Sequence, residues 1–141
     1  MAAADPQHIT MVLVRGGLSR VKEIEPLFIK ALGEYNKAVY RLGYYLKPKH
    51  VVLKTRGGRR VRYVYYGRYW WRVEYGGRKG GTSRIKWRYI GVRKPDEVPP
   101  PPPMPLEGLK FIVVGGDDIV MSYETFERFR WLFEGLKVVV V

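Results

Sequence analysis

A chain of 141 residues is long enough to bury a real core as one domain with at most a small appendage, and its 46% hydrophobic content excludes wholesale disorder. The net charge of +13 is self-repelling on a scale that calls for an anionic partner. The absence of cysteine excludes disulfides, thiolate catalysis and the common zinc sites.

In chain order, Ala2 to His8 reads as a loose start and Ile9 to Val14 as a buried strand ended by Arg15-Gly16-Gly17. The start lacks the basic-then-apolar layout of a signal peptide, and no apolar run approaches the roughly 18 residues of a membrane span. Both point to a cytoplasmic protein without a membrane partner. Leu18 to Glu25 reads as a connector, with Pro26 in the first turn of a helix, where its missing N–H has no partner to lose. Phe28, Ala31, Leu32, Tyr35, Ala38, Val39 and Leu42 repeat at three and four residues and predict one apolar stripe, the helix ending near residues 44–46 before Pro48.

Residues 51–94 hold 14 of the 26 Lys and Arg against a single acid, Glu74, together with nine Tyr and Trp. Side chains alternate across a strand, so parity predicts faces. Reading strands over 51–56, 60–66, 69–75 and 83–90 puts Val61, Tyr63, Tyr65, Trp71, Val73, Tyr75, Ile85, Trp87 and Tyr89 on one face. The other receives Arg60, Arg62, Arg72, Arg84, Lys86 and Arg88, with Lys54 and Arg56 on the cationic side of the first strand. Turns are expected at Gly57-Gly58 and Gly67-Arg68, and a longer hairpin loop between Gly76-Gly77 and Gly80-Gly81. The expected fold is α+β: an amphipathic helix covering the ring-bearing face of a twisted antiparallel sheet, with the basic face open. By parity Trp70 shares the face of Arg72 and is the first stacking candidate, Tyr66 the second.

PDEVPPPPPMPLEG reads as polyproline II, either a stiff spacer or a strap on the protein's own surface. Beyond it, Lys110 to Val114 is expected as a strand. Ser122 should cap a helix whose inner side carries Phe126, Phe129, Leu132 and Phe133, and Gly135 should end it. Val138, Val139, Val140 and Val141 should pair with residues 111–114, with residues 9–14 or with another copy of the protein. The expected division is therefore a nucleic-acid-binding domain over 1–94, a linker over 95–105 and a strand-helix-strand segment over 106–141.

Little points to catalysis. His8 and His50 are expected to be solvated, Asp117-Asp118 reads as turn chemistry before it reads as a metal site, and the glycine pairs match no nucleotide-binding template. No cofactor and no metal is expected. The stretch from YVYYGRYWWRVEYGGR to RIKWRYIG, through Tyr63, Tyr65, Tyr66, Gly76, Gly77, Arg88, Tyr89, Ile90 and Gly91, resembles a small basic β module of uncharacterised archaeal proteins that also occurs near the start of some transposases. The resemblance covers about a third of the chain and implies an archaeal or archaeal-virus source and nucleic-acid association. A cysteine-free chain rich in Arg, Tyr and Pro also suits a thermophile.

The sequence thus predicts a non-enzymatic nucleic-acid-binding protein, DNA favoured over RNA. Lys54, Arg56, Arg60, Arg62, Arg72, Arg84, Lys86 and Arg88 should make phosphate contacts, with Trp70 as the stacking ring. Six engaged phosphates would give a log-affinity slope near −5 against log salt. Two alternatives share the surface: a chromatin or virion coat subunit that oligomerises on DNA through its terminal valines, and a ribosome-associated protein.

Overall fold

The computed structural model describes residues 9–141, so Ala2 to His8 lie outside the described residues. In chain order the elements are β1 (Met11–Val14), α1 (Gly17–Tyr40), β2 (Tyr44–Arg56), β3 (Arg59–Lys79), β4 (Thr82–Gly91), β5 (Lys110–Val114), β6 (Asp118–Ser122), α2 (Tyr123–Arg128) and β7 (Val138–Val140). A 3-10 turn spans Arg130–Phe133. The fold is α+β, a helix on a seven-stranded antiparallel sheet in the order β2-β3-β5-β6-β1-β7, with β4 also paired to β3. No helix among the described residues is long and apolar enough to cross a membrane.

Two compact units share the long elements. The terminal unit holds the described chain up to Glu25, Val51–Tyr65 and Gly108–Val141; the central unit holds Pro26–His50 and Tyr66–Glu107. This division replaces the expected one, because residues 106–141 are not a segment apart: β5 pairs with Arg62 to Tyr65 of β3, and β6 pairs with both β5 and β1.

In the terminal unit, register pairs bury matching residues on one face: Val12 with Met121, Val14 with Ile119 and Val64 with Phe111. Phe126, Phe129, Leu132 and Phe133 are buried as expected, and Ser122 Oγ accepts from the Thr125 N–H to start α2. The valine strand β7 pairs with β1, Val12 opposite Val140, so within the chain it takes the N-terminal strand and not residues 111–114.

α1 begins nine residues earlier than Pro26. Leu18 and Val21 are buried and extend the stripe of Phe28, Leu32 and Val39 backwards, so residues 18–25 are helix and not a connector. Its start is fixed from the other end of the chain. Ser19 Oγ donates to Asp117 Oδ1 (2.7 Å), Leu18 N–H to the Asp117 carbonyl (3.0 Å) and Gly16 N–H to Asp118 Oδ1 (2.9 Å). The Asp117-Asp118 pair is thus engaged in holding α1, the turn chemistry read from its position. Gly17 allows the approach, since a Cβ there would lie 2.7 Å from the Ile119 side chain. Pro26 sits inside the helix on an exposed side, where water can replace its missing N–H.

In the central unit Leu32, Val39, Leu46, Trp70, Val98 and Met104 form one core, with Tyr35 and Tyr44 packed against it. Val98 and Met104 come from the proline tract, which is therefore a strap on the protein's own surface. Tyr35 hydroxyl donates to the Pro99 carbonyl, Lys94 Nζ reaches the carbonyls of Pro95 and Val98, and Tyr44 hydroxyl donates to Glu97. Burial pushes the Tyr35 hydroxyl above its usual pKa, while hydrogen bonds from its own backbone N–H and from Tyr44 hold the Glu97 carboxyl below the usual range.

Asn36 is buried in the apolar stripe and satisfied at both ends: Nδ2 donates to the Leu46 carbonyl and Oδ1 accepts from the Leu46 N–H, each at 2.9 Å. It pairs α1 with β2 as a neighbouring strand would. Asn36→Ala orphans both backbone groups of Leu46, so we expect a loss of about 2–3 kcal/mol of unfolding free energy, read from the denaturant midpoint. A loss under about 0.5 kcal/mol would show that the clamp contributes nothing.

Candidate nucleic-acid interface

β3 and β4 form a hairpin closed by Gly80-Gly81, both left-handed (φ 61° and 81°), the geometry of a two-residue type I′ turn. The expected longer loop is absent because Gly76-Gly77 forms a bulge within β3, between the pairs Tyr75–Ile85 and Arg78–Ser83. Gly67-Arg68 is not a turn either. Gly67 keeps an extended backbone, and its missing side chain makes room for the Tyr69 hydroxyl, 3.1 Å from where a Cβ would stand. β3 therefore runs uninterrupted for 21 residues.

Residues directly opposite in an antiparallel pair share a face. Trp71 pairs with Tyr89, Val73 with Trp87 and Tyr75 with Ile85, while Arg72 pairs with Arg88 and Glu74 with Lys86. The separation of rings from cations by parity is thus present in the hairpin. Its polarity is the reverse of the expectation. Tyr66 is buried, and Trp70 is buried completely in the core with Leu32, Val39 and the strap; Trp70 cannot offer a ring to a base. Arg72 shares that covered face and is spent internally: Nη1 donates to the carbonyl of Leu42 (3.1 Å), and its guanidinium lies 4.5 Å from the Tyr44 ring centroid. On the face carrying Trp70, Leu46 and the strap add apolar volume to the core that α1 covers.

The open face is the one with rings. Tyr75 is 66% exposed, Ile85 53%, Tyr89 47% and Trp87 41%. Trp71 lies 5.4 Å from Tyr89, and Trp87 lies 5.2 Å from Tyr45 and 6.2 Å from Tyr40. Lys47 Nζ stands 4.8 Å from the Trp71 ring and 5.9 Å from that of Trp87, so a cation is built into the aromatic face. Trp71, Trp87, Tyr89, Tyr45 and Lys47 are the residues that sequence reasoning missed.

On the back of β4, Arg84, Lys86 and Arg88 are exposed. Arg84 and Lys86 make no ion pair among the described residues, and Arg88, its side chain largely in solvent, meets the half-buried Glu74 at 3.1 Å. Residues 26–50 and 66–107 together carry 14 Lys and Arg against five acids, so this field is not neutralised within the unit. The remaining predicted cations belong to the terminal unit. Lys54 and Arg56 stand 5.0 and 5.6 Å from the Tyr63 ring, and Arg60 and Arg62 are exposed without an ion pair among the described residues.

No family model, curated protein or solved structure matches the chain.

Proposed function

We propose that this protein binds nucleic acid through the β3–β4 hairpin. The observation that carries the reading is that β4 is exposed on both sides, with Arg84, Lys86 and Arg88 on one and Ile85, Trp87 and Tyr89 on the other. A hairpin that merely met water would mix acids among its cations and keep large apolar side chains off both faces. Cations neutralise phosphates, and rings add the sequence-tolerant contacts that a simple polyanion does not reward. The role is one of binding, without catalysis.

Three cations on the back of β4 and Lys47 on the ring face supply about four phosphate contacts. Arg72 is excluded by its internal hydrogen bonds. Log affinity should then fall with log salt at a slope between about −3 and −4, lower than the −5 expected from counting six. Titrating labelled oligonucleotides at several salt concentrations measures it. A slope near zero, or no binding at low salt, removes this reading.

A further inference from the structure

We infer that the ligand of the hairpin is a single strand, its bases laid on the ring face; this rests on the nucleic-acid reading above. A duplex turns phosphates and groove edges outward and keeps its base faces stacked against each other. It offers nothing for Trp87, Tyr89, Ile85 and Tyr75 to cover. An unpaired strand does, because every base has an apolar face that stacks on a ring.

The spacing fits. Ile85, Trp87 and Tyr89 stand two residues apart on one face of β4, a repeat of about 6.6–6.8 Å along a strand. That is twice the 3.4 Å rise of each strand in a duplex, so a base fits between successive side chains of an unstacked strand. The path is open as well, since among the described residues β4 pairs with β3 and no other strand takes its outer edge. A chain of nucleotides along that edge has rings on one side, Arg84, Lys86 and Arg88 reaching round from the other, and the Lys47 ammonium above Trp71 and Trp87.

The test uses the full-length protein with 15-nucleotide oligo-dT, oligo-rU and a duplex of the same length, read by affinity and by tryptophan fluorescence. Either single strand should bind at least tenfold more tightly than the duplex at equal salt and quench the fluorescence. Trp87→Ala should weaken single-strand binding by about 5- to 150-fold and leave duplex binding unchanged. Tyr89→Ala provides the same readout should the Trp87 variant lose its fold. Two results overturn the inference while leaving phosphate binding intact: a duplex bound as tightly as the single strands, or ring variants that bind single strands like the parent while Arg84→Gln with Lys86→Gln weakens all three. Absence of binding to any oligonucleotide, with tryptophan emission shifted to the blue by phosphatidylserine vesicles, overturns both readings in favour of an anionic membrane surface.

Discussion

Trp70→Ala should lower the unfolding free energy by about 3–5 kcal/mol, the range for truncating a fully buried large aromatic side chain. Trp70 has no exposed surface, meets Tyr35 edge-on at 6.3 Å and is enclosed by residues from α1, β2 and the proline strap. These elements are held by no disulfide, so the cavity would loosen three segments that pack around this one ring. The parity argument from sequence makes the opposite forecast, in which Trp70 lies open and its loss costs binding and not stability. Comparing it with Trp87→Ala separates the two. The Trp87 variant, 41% exposed at the start, should stay within about 1 kcal/mol of the parent. A Trp70 variant as stable as the parent by denaturant midpoint, with its nucleic-acid affinity lowered, would restore the original face assignment.

Local rules were enough at Gly57-Gly58, which closes a two-residue hairpin, at Ser122, which caps α2, and at Gly135, which follows the last helical turn with φ 85°. They failed at Gly67-Arg68, which stays within β3, and at Gly76-Gly77, a bulge that leaves Gly80-Gly81 to close a two-residue hairpin where a longer loop was expected. The middle of the α1 stripe, Phe28, Leu32, Tyr35 and Val39, was legible too, yet neither end was: the helix stops at Tyr40, Leu42 is exposed and residues 44–46, expected as the helix end, open β2. Leu18 and Val21 continue the helical period, but Pro26 suggested a first turn, and the groups that hold the true start, Asp117 and Asp118, stand about 100 residues away. Asn36 was unreadable for the same reason. Its value lies in Leu46, which only the folded chain brings to it. For the candidate site, alternation sorted rings from cations and could do no more. Both parities carry bulky residues, Val64, Tyr66 and Trp70 on one and Trp71, Tyr75, Trp87 and Tyr89 on the other. Which one the helix covers was settled by Leu46, Val98 and Met104, whose part in that core no pattern in residues 51–94 announces.

Neutralising the back of β4 should have the largest effect on binding. Arg84→Gln, Lys86→Gln and Arg88→Gln together remove about three of four phosphate contacts, which brings the salt slope on a single strand from about −3 to near −1. If the salt-independent part is unchanged, a slope change of about two units means roughly a hundredfold weaker binding at 0.1 M salt. Glutamine is preferred to glutamate because Lys86 stands opposite Glu74 and Arg88 pairs with it, so reversed charges would set carboxylates side by side. Stability should hold within about 1 kcal/mol, since the one ion pair lost is exposed and such pairs contribute little. The same substitution also tests which side of the hairpin holds phosphate. If the triple variant keeps the parent's salt slope, the phosphates do not contact Arg84, Lys86 or Arg88, and the cations that bind them must be sought at Lys47 or among Lys54, Arg56, Arg60 and Arg62 of the terminal unit.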